Sequence, residues 1–201
     1  MTLPDDRNRR LRGLHLASGL LIAAFVTAHI SNHLAMFAGQ AAHIAVMEVL
    51  RPFYRNPLAE TLLMLALAFQ LSTGLAMIWR TRAEKRVGLA RWQAISGAVL
   101  ALFILNHVGA VWGGRLVMGL DTNYHYAAAG FHAGYAAFFV PYYFAGVAAL
   151  FVHAACALAW RVQGRAVPLA VGLLGIAFAA GFVGVMASDP AIPPRYLESF
   201  P

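Results

Sequence analysis

The chain has 201 residues, of which 61% are hydrophobic and only 11% charged, with a formal net charge of +7. Globular domains carry about 25% charged residues, so the composition argues against an ordinary solvated surface, and so apolar a chain is not disordered either. A single cysteine, Cys156, excludes a disulfide framework and an iron–sulfur cluster held by this chain alone.

The charges sit at the ends of long apolar runs, which points to a membrane protein rather than a nucleic-acid binder. A bilayer core needs about 20 apolar residues per crossing. Five runs qualify, near 14–38, 58–79, 92–114, 138–160 and 167–187, and Glu60 is the one formally charged residue inside them. Continuous runs of this length cross as helices, because every backbone polar group must be satisfied within the segment. The expectation is an all-α integral membrane protein, a helical bundle forming a single transmembrane domain over residues 1–201. The first run follows Arg7, Arg9, Arg10 and Arg12 as a signal peptide would, but it is too long for a signal core and is interrupted by His29, Asn32 and His33.

Basic residues set the orientation. Eleven lie on one side: the four N-terminal arginines, then Arg80, Arg82, Lys85, Arg86 and Arg91 after the second span, and Arg161 and Arg165 after the fourth. Four lie on the other, Arg51, Arg55, Arg115 and Arg195. The N-terminus is therefore expected in the cytoplasm, with the chain a multi-pass protein of the inner (plasma) membrane.

Ionisable residues at membrane depth are costly and point to function. His29, His107 and His153 lie deep in the first, third and fourth spans. Neutral imidazole is the usual ligand of haem iron. The first and third spans share a pattern: Ser18-Gly19 followed by His29, and Ser96-Gly97 followed by His107. Eleven residues turn a helix through about 1100°, which returns the histidine to the serine's face. His29 and His107 also match in depth, each about 24–25 Å beyond its cytoplasmic arginine, Arg12 or Arg91, at 1.5 Å per residue. Such a pair suits one iron. The alternative is ordinary hydrogen bonding between helices, or to a neighbour such as Asn106. On the oppositely directed spans, His153 and Gln70 share a layer nearer the cytoplasm, about 12 and 15 Å from Arg161 and Arg80.

These residues resemble the five-helix, di-haem cytochrome b subunit that anchors succinate dehydrogenases and fumarate reductases, the succinate:quinone oxidoreductase family. The resemblance covers nearly the whole chain. It rests on Leu14-His15 through Ser18-Gly19 and Phe25 to His29 with Asn32-His33, on Ala41-Ala42-His43, on Gln93 with Ser96-Gly97 and Phe103 to His107, and on Gly146 followed by His153. It implies that His29 and His107 ligate an outer haem b and that His153 ligates an inner one. The inner partner position is Gln70, a departure that leaves the second haem without its expected ligand. It further implies quinone as substrate, contact with membrane lipid, and cytoplasmic flavoprotein and iron–sulfur partner subunits, with no nucleic acid.

His33 is the rival outer ligand, one turn beyond His29. The segment from Arg115 to Phe139 is rich in aromatic residues and histidine and is expected at the outer surface, as a surface or re-entrant helix. His15 and His43 read as interfacial, and the fifth span offers glycines for close packing. No nucleophile–base pair, phosphate loop or zinc spacing occurs. The chain therefore reads as an oxidoreductase component whose chemistry belongs to its cofactor, with no catalytic side chain of its own. The rival readings are a free-standing membrane cytochrome b using quinone, and a haem-free structural or transport relative.

Overall fold

The computed structural model describes residues 6–80, 87–188 and 191–200, with side chains from residue 9 onward. The basic residues Arg82, Lys85 and Arg86 lie outside the described residues. Among those described, the chain is all helical, and five helices are long and apolar enough to cross a membrane. These are α1 (Asp6–Leu34), α3 (Pro57–Arg80), α4 (Gly88–Trp112), α6 (Ala136–Ala159) and α7 (Ala166–Ser188). The protein is thus a multi-pass membrane protein. Large apolar side chains such as Leu20, Leu62, Leu102 and Leu174 are exposed along these helices, an arrangement that suits lipid and not water.

Three shorter helices join or cap the spans. A 3-10 turn, Ala35–Ala38, extends α1, and Gly39 then turns the chain with φ of 109°, a conformation that favours glycine. The helix α2 (Gln40–Tyr54) follows, and Asn56 opens α3 by accepting from the backbone nitrogens of Leu58 and Ala59 ahead of the first-turn Pro57. A π-helical turn, Gly113–Val117, ends α4; α5 (Tyr124–His132) and α8 (Pro194–Leu197) lie beyond it in the chain.

The chain divides into two compact units, Met1–Val87 and Gly88–Pro201. In the first, α1 packs on α3, and α2 packs on both. In the second, α6 is central, packed on α4 and α7, while α5 packs against α6, α7 and α8. Small residues allow the close approaches: Phe103 of α4 occupies the notch at Gly146 of α6, and Phe151 of α6 that at Gly175 of α7.

Candidate functional site

The intramembrane polar residues gather into clusters within each unit. In the first unit, His15 and Ser18 of α1 meet Gln70 and Thr73 of α3. Gln70 Nε2 donates to His15 Nε2 at 3.1 Å. An amide nitrogen only donates, so His15 Nε2 accepts and His15 Nδ1–H donates to Thr73 Oγ1 at 2.9 Å. Thr73 in turn donates to the Phe69 carbonyl at 2.8 Å. Ser18 closes the network on the other amide atom, Gln70 Oε1. Two glycines make room. A Cβ at Gly19 would lie 3.1 Å from Gln70 Nε2, and a Cβ at Gly74 would lie 3.1 Å from His15 Cε1.

The second unit repeats this pattern with a histidine. His153 of α6 lies against Gly97 of α4, where a Cβ would come 3.1 Å from its Cε1. Its Nδ1 is 3.2 Å from the Gln93 carbonyl and 3.3 Å from the hydroxyl of the buried Ser96. A carbonyl only accepts, so Nδ1 carries the proton and Nε2 bears the lone pair. That tautomer is the one a metal-ligating imidazole adopts when its other nitrogen is held by a carbonyl. Gln93 is held in turn by Trp160, whose Nε1 donates to Oε1 at 2.7 Å. Gln70 and His153 are therefore counterparts: each packs on the glycine of a Ser-Gly pair and bonds the adjacent serine.

The second cluster of the first unit holds three histidines. His29 stacks on Phe25, four residues earlier, with centroids 5.5 Å apart and planes at 17°. His33 Nε2 lies 3.2 Å from His29 Nε2, and His33 Nδ1 lies 3.2 Å from His43 Nε2. Asn32 Nδ2 donates to the same His43 nitrogen at 3.2 Å. His43, on α2, is buried, and desolvation lowers its pKa to about 4, so it is neutral at ordinary pH. With His43 Nε2 accepting, His33 donates through Nδ1 and accepts at Nε2 from His29.

His107 in the second unit repeats the local setting of His29. It stacks on Phe103, again four residues earlier, with centroids 5.5 Å apart and planes at 11°. Tyr142 supports Phe103 from α6, ring against ring at 4.9 Å, and donates its hydroxyl to the Phe103 carbonyl at 3.2 Å. No three or more His, Cys, Asp or Glu among the described residues are grouped to hold a bare metal ion. The donor set is instead single imidazoles, each braced by a phenylalanine.

Apolar cavities adjoin both phenylalanines. One of about 340 Å³ in the first unit is lined by Phe25, Ala28, Phe53, Tyr54 and Leu62, among others. Tyr54 meets Phe25 edge-on at 5.8 Å. One of about 280 Å³ in the second unit is lined by Phe103, Phe138, Pro141 and Tyr142, among others.

The segment after α4 is a built cap. Asn123 caps α5, its Oδ1 accepting from the backbone nitrogens of His125 and Tyr126 at 3.0 and 3.3 Å. Its Nδ2 donates to the hydroxyl of the fully buried Tyr196 at 3.0 Å. Tyr126 donates to the Ala110 carbonyl at 2.7 Å, burial raising its pKa, and His132 Nε2 donates to the Met186 carbonyl at 2.9 Å. This segment is tied to both α4 and α7.

The three histidines singled out from the sequence thus occupy braced positions, His29 in the first unit and His107 and His153 in the second. Thr73 carries no signal in the sequence, and the roles of His15, Asn32 and His43 depend on partners on other helices. Compared with family models, curated proteins and solved structures, the chain matches none.

Proposed function

We propose that the protein is a haem b-binding membrane-anchor subunit that passes electrons between a quinone pool and partner redox subunits, in the manner of succinate dehydrogenase and fumarate reductase anchors. The observation that carries this reading is the duplicated setting Ser-Gly, then phenylalanine, then histidine. In both α1 and α4 the imidazole is stacked on the phenylalanine one turn before it. His29 and His107 are the iron ligands in this reading, at the equal depth counted from Arg12 and Arg91. Their chemistry suits the group: His107 and His29 are intramembrane imidazoles, and His29 would exchange its bond to His33 for one to iron.

Haem b supplies one-electron transfer when bound; the chain would supply two imidazoles, each stacked on a phenylalanine. The cavity beside Phe25, apolar and within the size range of small-molecule pockets, supports a quinone as the lipid-soluble partner. The basic residues counted along the chain support an N-terminus in the cytoplasm of a bacterial-type inner membrane, where flavoprotein and iron–sulfur subunits would dock.

The test is a reduced-minus-oxidised visible spectrum of the purified protein with a haem-to-protein ratio. A b-type spectrum that His107→Ala abolishes is the expected result; a protein without haem refutes the reading. Gln70 favours a second reading, a free-standing cytochrome b that exchanges electrons between quinone and an oxidant outside. Co-purification of flavoprotein and iron–sulfur subunits from the native membrane separates the two.

A further inference from the structure

We infer that the inner haem position is closed in this protein, its place on the first unit taken by a side-chain clasp of His15, Ser18, Gln70 and Thr73, so that the chain carries one haem. The inference rests on the reading above for what an inner haem would be, and on the first unit alone for why it is excluded.

A carboxamide is a poor ligand for haem iron, and here both of its ends are already used. Gln70 Nε2 donates a hydrogen bond to His15 Nε2 at 3.1 Å, and Gln70 Oε1 accepts from Ser18. The nearby imidazole, His15, is committed as well: Nε2 accepts from Gln70 and Nδ1 donates to Thr73 at 2.9 Å. Thr73 is buried and passes its own proton to the Phe69 carbonyl. Turning Gln70 outward would take from His15 Nε2 the bond it accepts at membrane depth, which is costly, while Ser18 would keep its bond to the His15 carbonyl.

The glycines make the clasp close-fitting. The Gln70 amide lies over Gly19 and the His15 ring over Gly74, each 3.1 Å from where a Cβ would stand, so the gap between α1 and α3 at this level is filled by side chains of the chain itself. His153, the counterpart in the second unit, keeps the tautomer of a ligating histidine. It would be the lone protein ligand of any inner haem.

Two measurements decide this. The first is the haem-to-protein ratio with His153→Ala beside the wild type. One haem per chain, unchanged in amount and spectrum by His153→Ala, is expected. Two haems, or loss of part of the spectrum in that variant, would overturn the inference; this includes a high-spin component marking a haem held by His153 alone. The second needs no haem. His15→Ala, Gln70→Ala and the double variant are compared in thermal unfolding in detergent. Each single variant should lower the midpoint by several degrees, and the double variant should fall by clearly less than the two losses added, as members of one network do. Additive losses would overturn the clasp. A haem-free protein would refute the outer-haem reading of the preceding section, and the unfolding cycle would then decide the clasp by itself.

Discussion

His153 of α6 rests on Gly97 of α4, its Cε1 3.1 Å and its Nδ1 3.4 Å from where a Cβ would be. Gly97→Ala therefore pushes at the atom that donates to the Gln93 carbonyl. The ring must give by a few tenths of an ångström and lengthen a 3.2 Å bond. Overpacking of this kind costs about 1–3 kcal/mol. Gly146→Ala should cost more, because its Cβ would fall within the ring of Phe103, which Tyr142, one turn earlier on the same helix, already packs against. Gly184→Ala, with nothing within 4 Å, is the control. Thermal unfolding in detergent should rank the three Gly146 worst, Gly97 next and Gly184 near wild type; a Gly97→Ala protein as stable as wild type would mean that His153 is not seated there.

The choice between His29 and His33 as haem ligand is open to direct test. His29 shares its setting with His107, stacked on a phenylalanine one turn before it. His33 stands edge-on to His29, at 84°, with one nitrogen bonded to His29 and the other to His43. His29→Ala should lose the b-type spectrum, while His33→Ala should keep it with a shifted midpoint potential, since removing His33 changes the polarity around His29. The reverse outcome, haem retained in His29→Ala and lost in His33→Ala, would transfer the ligand role to His33.

The spans were legible because each is one continuous apolar run, and hydropathy needs no partner to be read. The helices run a little past the expected limits, α1 starting at Asp6 and the third crossing continuing to Val117, because backbone bonding carries on where apolar composition stops. The connecting helices were less legible: α2, α5 and α8 are short, and Tyr124, Phe131 and Tyr196 are buried by packing between elements far apart in sequence. His15 and His43 show the same limit. Both lie near span ends and read as interfacial, yet His15 reaches Gln70 and Thr73 on α3, and His43 is drawn in under Asn32 and His33 by the turn at Gly39. Periodicity gives a residue's face and depth; it does not give what the facing helix brings to meet it.

His43 makes stability depend on pH. Burial holds its folded pKa near 4, below the ordinary 6.5. The unfolded chain takes up a proton at about pH 6.5 and the folded one does not, so folding is favoured above that pH and progressively opposed as pH falls towards 4. At about 1.4 kcal/mol per pH unit, the loss across that window is at most about 3.5 kcal/mol. The groups facing His43 from α1 are Asn32 and His33, and Arg51 and Glu48 pair with each other further along α2. His43→Gln should flatten the fall in unfolding midpoint between pH 6.5 and 4 while lowering the midpoint at pH 7.5. A slope as steep in the variant as in the wild type would assign the effect to other groups.

Asn123 joins the start of α5 to the C-terminal segment through one side chain, so its two ends can be tested apart. Oδ1 accepts from two backbone nitrogens of α5, and Nδ2 donates to the Tyr196 hydroxyl at 3.0 Å and to Asp121 at 3.2 Å. Asn123→Ala removes a helix cap, about 1 kcal/mol, and takes from the buried Tyr196 hydroxyl one of its partners, about 1–3 kcal/mol more. Arg195 still donates to that hydroxyl at 3.1 Å, which places the total towards the lower end of that sum. Asn123→Ser keeps a capping oxygen and removes the amide donor, so it should recover about 1 kcal/mol. Tyr196→Phe should cost less in the Asn123→Ala background than in the wild type, because one of the two bonds it removes is already gone in the first case. Equal costs of Tyr196→Phe in both backgrounds, read from unfolding midpoints, would show that Asn123 does not tie α5 to the C-terminal segment.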